Sequence, residues 1–328
     1  MYLEILKGFA DGIRRRQRFG RGIRVLYYHG IVEQRKDPRL ERNCHTIEEF
    51  KDQIRALKRA RASVLSLDEL DAQFDQPGRG YLPRVVITFD DGYQNNLIAA
   101  ELLEAARMPW ALFVSTGLIG SERTVWTVEL SLLMLHGQAE SIELLGNRWS
   151  LRTRADREQS FQGIRVQLKQ CDSEKLHEHL IQLRSQFPPG ESQRLIEAWP
   201  GFQMLRWNEV ASIAASGGTI GSHGVDHELH HASQLPETRL KELRDSKREL
   251  EQQLDSDCPY FAFPNGSTHP GSAQELDQVG YRLAFTTVNR CLGTHDSRLL
   301  IPRIGAAGSM RSFVRDYFWA DQAMENLD

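Results

Sequence analysis

The sequence predicts an α/β protein, an irregular (β/α) barrel that carries a helical and hairpin insertion. Short apolar runs alternate with helical patterns over residues 24–120 and again over 207–310. Such alternation implies a largely parallel sheet wrapped by helices. Between 121 and 206 the alternation lapses, which marks the insertion. Composition agrees, since 328 residues with 40% apolar and 26% charged side chains suit a globular chain with a sizeable core.

At the start, Leu3, Leu6, Phe9 and Ile13 recur at helical spacing and lead into Arg14, Arg15, Arg16, Arg18, Arg21 and Arg24. Residues 1–23 therefore read as an amphipathic basic helix. It either packs on its own domain, with arginines favouring its C-terminal end, or anchors on an anionic membrane surface through residues 1–24. It does not read as a secretory signal, because charges interrupt its apolar part and the basic cluster follows that part. Residues 24–28 (RVLYY) form a buried strand. Thr46-Ile47-Glu48-Glu49 has the capping-box form and opens a helix with Phe50, Ile54 and Leu57 on one face. Residues 63–67 read as another strand. Residues 84–89 (RVVITF) are the clearest strand, β-branched and almost wholly apolar. A helix over 95–107 and a strand over 110–115 follow. In the insertion, 141–151 alternates on both sides of Gly146-Asn147, the pattern of a hairpin with a tight turn. Leu176, Leu180, Leu183 and Phe187 then form a helical stripe stopped by Pro188-Pro189-Gly190. The rhythm resumes with a helix over 208–216, a strand over 219–222, a long helix from Pro236 to about 254, and a strand over 260–263. A helix over 272–279 and a strand over 281–286 complete it, and 311–328 read as a C-terminal helix or tail.

The formal net charge of −3 argues against a dedicated nucleic-acid binder, which would show a basic balance or stripe. No apolar run exceeds the five residues Trp110 to Val114, far short of the roughly 20 that cross a bilayer. Cys44, Cys171, Cys258 and Cys291 are widely spaced with no Cys-x-x-Cys, which rules out a cysteine-only zinc knuckle and points to reduced thiols in the cytoplasm. Spacing leaves a disulfide open.

Thr88-Phe89-Asp90-Asp91-Gly92 ends the strongest strand, where parallel α/β folds collect their chemistry. Two adjacent carboxylates repel unless they share a cation or one handles a proton; Asp-Asp-Gly also serves as a plain turn. Gly221-Ser222-His223-Gly224-Val225-Asp226-His227 follows another short strand, and two histidines four apart can converge on one metal. The nearby His230 and His231 show that the stretch is simply His-rich as well. Taken with the aspartates, His, His and Asp make a three-ligand set that leaves room for a water. Phe263-Pro264-Asn265-Gly266 closes a third strand, either as a plain turn or with Asn265 toward a developing oxyanion. His29, in Tyr27-Tyr28-His29-Gly30, ends the first strand; a lone His beside tyrosines is commonly structural.

In this order the motifs resemble those of the polysaccharide deacetylase family, carbohydrate esterases that remove N- or O-acetyl groups from sugars on an irregular (β/α) barrel. The resemblance runs from about residue 24 to 305 outside the insertion. It implies Asp90 as catalytic base and Asp91, His223 and His227 as ligands of one divalent ion. Zn²⁺ is the first candidate, followed by Co²⁺, Ni²⁺ or Mn²⁺. It also implies Phe263, Pro264 and Asn265 as groove residues, with the Asn265 amide on the oxyanion, and Tyr93 is counted among the substrate-facing residues. One departure stands out: Ala262 occupies the place of an arginine that orients the base. Most of the family takes its catalytic acid from a C-terminal Leu-x-x-His. A circularly permuted branch, acting on poly-N-acetylglucosamine, takes its acid from an N-terminal strand ending in Tyr-His. Val25-Leu26-Tyr27-Tyr28-His29 resembles that strand, which implies His29 as acid, with His269 and His295 as rivals. Arg303, in Leu300-Ile301-Pro302-Arg303-Ile304, is the candidate to hold Asp90 in place of the missing arginine.

The activity so implied is metal-dependent removal of N-acetyl groups from an amino sugar in a polysaccharide or a lipid-linked glycan precursor. The site of action would be the cytoplasm, with peripheral contact at the inner face of the membrane. Two other readings stay open: hydrolysis of a formamido sugar or ring amide at the same site, or a catalytically inactive carbohydrate-binding member.

Overall fold

The computed structural model describes residues 22–74 and 83–313. Residues 1–21 of the expected N-terminal helix and 314–328 of the expected tail lie outside the described residues. In chain order the strands of the first half are β1 (Ile23–Tyr28), β2 (Ile31–Val32), β3 (His45–Thr46), β4 (Ser63–Val64), β5 (Arg84–Phe89) and β6 (Ala111–Val114). The insertion holds the hairpin β7 (Ser141–Leu144) and β8 (Asn147–Ser150). The second half adds β9 (Thr219–Ser222), β10 (Tyr260–Ala262), β11 (Leu283–Phe285) and β12 (Ile304–Gly305).

The main sheet is parallel and runs β11-β10-β9-β6-β5-β1-β12, with β4 beside β5. Strands covered on both faces read as continuous apolar runs, and every position of β5 is buried. Alternate residues divide between two cores, as the two-residue period of a strand requires. Val25, Val86, Phe113 and Phe285 fill the inside of the curled sheet, whereas Leu26, Ile87, Phe89 and Leu112 pack outward under helices. β11 and β12 stand at opposite ends of this order, and the chain between them spans the gap. Ile301 bridges to Phe285 and Ile304 pairs with Leu26. Arg303 lies in that seam.

Helix α1 (Ile47–Arg59) begins at Thr46 with the expected capping box. The strand read over 63–67 stops at Val64, and Leu67 opens α2 (Leu67–Gln73) instead. The reason is a second capping box: Glu69 N–H donates to the Ser66 side chain while the Glu69 carboxylate accepts from Ser66 N–H. α3 (Asn96–Ala106) leads to β6. The insertion comprises α4 (Trp126–His136), the hairpin, α5 (Arg154–Leu168), α6 (Ser173–Arg184) and α7 (Glu191–Ala198). Its tight turn is Leu145-Gly146, one residue earlier than the Gly146-Asn147 reading. Both turn residues have positive φ (57° and 72°), and Leu144 faces Asn147 across the pair. This register keeps Ile142 and Leu144 in the core, and a one-residue slip would expose them. The same apolar cluster reaches Leu40, Cys44 and Tyr93 at the end of the barrel, so the insertion packs against the end at which β5 gives way to Asp90 and Asp91. α8 (Trp207–Ala215), α9 (Pro236–Leu254) and α10 (Ser272–Val279) complete the barrel's outer layer. Among the described residues no helix is long and apolar enough to cross a membrane, and the four cysteines are free.

Candidate active site

The chain leaves β5 through Asp90, whose N–H donates to the Tyr28 carbonyl at 3.0 Å. Asp91 (φ 78°) and Gly92 (φ 88°) then turn it sharply. Left-handed backbone is costly for a side-chain-bearing residue, and His227 (φ 58°) and Asn265 (φ 54°) share it. Three residues singled out from the motifs are thus held in strained conformations by the structure around them.

Asp91, His223 and His227 come together although 132 residues separate Asp91 from His223. Each offers one ligand atom, and these lie within 4.8 Å of one another, all buried. The two Nε2 atoms stand 3.5 Å (His223) and 3.4 Å (His227) from Asp91 Oδ1, which, despite its burial, accepts no hydrogen bond among the described residues. A buried, unpartnered carboxylate oxygen facing two imidazoles fits a divalent cation. His223 Nδ1 lies 2.7 Å from the Ala262 carbonyl, a contact that sets the ring's tautomer and leaves Nε2 to face Asp91. Burial alone would push Asp91 up; the imidazoles outweigh it and hold the carboxyl well below its ordinary range.

Asp90 has different company. Arg303 donates to both its oxygens at 2.7 Å, to Thr88 Oγ1 at 3.1 Å and to the Thr286 carbonyl at 3.0 Å. The guanidinium lies inside the barrel over the Tyr27 ring, at 4.9 Å, with no exposed surface. Burial raises the Asp90 carboxyl, but Arg303 and His223 outweigh it and lower it overall. Asp90 is therefore ionised and aimed by a forked pair.

His29, Asp90, Asp91, Tyr93, His223, His227 and Asn265 all line one pocket. Burial and the Asp91 carboxylate push the Tyr93 phenol well above its ordinary value, so its hydroxyl stays protonated beside Asp91. Asn265 is exposed, and its N–H has no partner among the described residues. Phe263 and Pro264 are placed differently from a groove wall: both are buried, Phe263 in a cluster with Phe261, Leu243 and Tyr281, and neither lines the pocket. The rivals to His29 lie outside it too. His269 is bonded to Glu275 and to the Gly271 N–H, and His295 is exposed in a loop. Asp226 is tied to Arg123.

Two contributors have no place in the motif reading. Glu242 on α9 accepts from the N–H groups of Val225 (2.8 Å) and Asp226 (3.3 Å), gripping the loop between the two histidines. Burial, then Glu228, pushes its carboxyl up to about 8. Gly224 holds φ 78°, and a Cβ there would also come within 2.7 Å of that carboxyl group, which is why the loop needs glycine. The visible signal is a glutamate on the buried helix face with Leu243, Ser246 and Leu250. The second contributor is the insertion, whose Thr127 and Val128 form part of the pocket wall.

The fold and this site can be set beside known proteins. The chain matches solved structures that include the Streptococcus pyogenes deacetylase PplD in complex with acetate (17% identity, TM-score 0.59, 90% of this chain and 98% of that one). IcaB from Ammonifex degensii matches at 18% identity and TM-score 0.59, over 92% and 97% of the two chains. A de-N-acetylase from Aggregatibacter actinomycetemcomitans matches at 14% and 0.53, over 90% and 99%. At such identities the likeness is one of fold. No curated protein sequence matches the chain. The sequence model of the polysaccharide deacetylases matches residues 81–284, from the strand before Asp90 through the loop of Asn265. With more than half its length following that model, the chain belongs to the polysaccharide deacetylase family.

Proposed function

We propose that this deacetylase is a divalent-metal-dependent hydrolase that removes the N-acetyl group of an amino sugar within a glycan. The observation that carries the reading is the unequal treatment of two neighbouring carboxylates in one pocket: Arg303 grips Asp90, and two imidazoles face Asp91. An ion held by Asp91, His223 and His227 would supply Lewis acidity toward the acetyl carbonyl and make water acidic near neutrality. In this reading Asp90 takes one proton from the attacking water while Arg303 keeps the carboxylate aimed. The Asn265 N–H donates to the oxygen that becomes negative. His29 gives one proton to the sugar nitrogen as the C–N bond breaks. A new C–O bond replaces it, and acetate and a free amine leave.

The test is release of acetate from N-acetylglucosamine oligomers by metal-stripped protein before and after one equivalent of Zn²⁺. Equal yields of acetate and free amine, only in the metal-loaded sample, are expected. Metal-independent release would remove the ion from the proposal, and formate from a formamido sugar would move the substrate. Action in the cytoplasm, with residues 1–24 on the membrane surface, belongs to the same proposal and is read by cell fractionation with and without those residues.

A further inference from the structure

Beside the pocket lies a group of cations that no acid among the described residues answers. Arg165 in α5 and Lys169 just beyond it stand four residues apart, with Lys169 N–H donating to the Arg165 carbonyl at 3.1 Å, so both side chains leave one helix face. Arg42, from the loop before β3, lies within electrostatic reach of both. Among the described residues no carboxylate pairs with any of the three, in a chain whose net charge is −3. Lys169 is not simply solvated: burial, then Arg165 and Arg42, holds its ammonium down to about 8. Its Nζ donates to Asn265 Oδ1 at 2.7 Å, and Asn265 lines the pocket of Asp91, His223 and His227. Arg42 adjoins Asn43, another lining residue. Arg165 Nε is buried without a hydrogen-bond partner. Like charges held together against repulsion, with an unfilled donor among them, call for an anion.

We infer that Arg42, Arg165 and Lys169 form an anion subsite at the mouth of the pocket, and that the glycan substrate carries a carboxylate or phosphate close to its N-acetyl sugar. The inference rests on the deacetylase reading and assigns the choice of substrate largely to the insertion, which supplies two of the three cations.

The test is equilibrium binding by titration calorimetry at low salt, with Zn²⁺-loaded and with metal-free protein. The carboxylate probe is a tetrasaccharide of alternating N-acetylglucosamine and glucuronate, compared with neutral chitotetraose. The phosphate probe is N-acetylglucosamine 1-phosphate, compared with N-acetylglucosamine. One anionic probe is expected to bind at least about tenfold tighter than its neutral counterpart, and which one does so identifies the anion. The advantage should shrink in Lys169→Gln, approach unity in the triple variant Arg42→Gln/Arg165→Gln/Lys169→Gln, and persist in Lys169→Arg. Equal affinities for anionic and neutral probes, nil included, overturn the inference, as does an advantage that survives the triple variant. Acetate release without anionic preference would sink the subsite alone. Anionic preference with no acetate release from any probe would instead sink the deacetylase reading.

Discussion

On the floor of the pocket, charge is answered within the chain, whereas at its mouth no carboxylate among the described residues answers it. Asp90 has both oxygens on Arg303, and Asp91 faces two imidazoles, all of them buried. These groups come from the ends of β5 and β9 and from the seam before β12, whose backbones are locked in parallel pairs. The mouth is assembled from the exposed Asn265, the half-buried His29 and Lys169, and walls lent by the insertion. A closed, paired floor can hold reacting groups to tight geometry. An open mouth with unanswered cations has capacity left for a ligand. The contrast fits a common division, in which a rigid scaffold positions the chemistry and the segments grafted on it decide what is admitted.

Breaking the floor should have the largest effect. His227→Ala and Asp91→Ala should lose the divalent ion, read as metal content per chain after gel filtration, along with all measurable acetate release. Full metal occupancy in either variant would contradict the assigned donor set. Asp90→Asn should keep the ion yet lose about 10²–10⁴-fold in turnover, the usual value of a general base. At the mouth, His29→Ala should lose a similar factor with metal content unchanged. Near-normal turnover there would free His29 from the acid role and return attention to His295.

Arg303→Met probes the floor's own stability. It leaves the Asp90 carboxylate buried without a partner, which costs about 3–5 kcal/mol in urea unfolding. Adding Asp90→Asn should recover much of that loss; if the double variant is no better than the single one, the pair is not the source. An effect that vanishes above pH 6.5 separates two neighbouring histidines. His227 opens onto the pocket, whereas His230 is buried edge-on to Phe261 and Phe263 with both ring nitrogens unpartnered. Burial pulls its pKa down from 6.5 to about 3. A depressed folded value means that the neutral ring's contribution is present above pH 6.5 and is lost as pH falls toward 3. His230→Leu should therefore flatten the acid decline of stability between those limits by about one proton, or about 1.4 kcal/mol per pH unit. An unchanged slope would show that His230 does not titrate on unfolding.

The strand and helix alternation, the capping box at Thr46 and the long α9 were legible because each rests on local periodicity or on one turn's hydrogen bonds. The helix at Leu67 was missed although its own box, Ser66 to Glu69, stood in the sequence; the apolar reading of 63–67 outweighed it. In the site, the two motif clusters were readable because strand ends and turn residues announce themselves. Phe263 and Pro264 were placed in the groove by motif alone, but the packing of β10 against α9 and α10 draws them into the core.

By itself the sequence determined the parallel α/β architecture and the chemical inventory: two carboxylates after one strand, two histidines after another, an asparagine turn after a third. Side-chain type and short-range spacing suffice for that. Tertiary structure alone decided which of those groups meet. Arg303 reaches Asp90 because the chain from Ile301 to Gly305 spans the gap between β11 and β1. Glu242 reaches the histidine loop because α9 packs beside β9. Lys169 reaches Asn265 across 96 residues because the insertion folds onto the pocket end of the barrel. None of these encounters has a local signature, since each depends on how distant elements close around a common core.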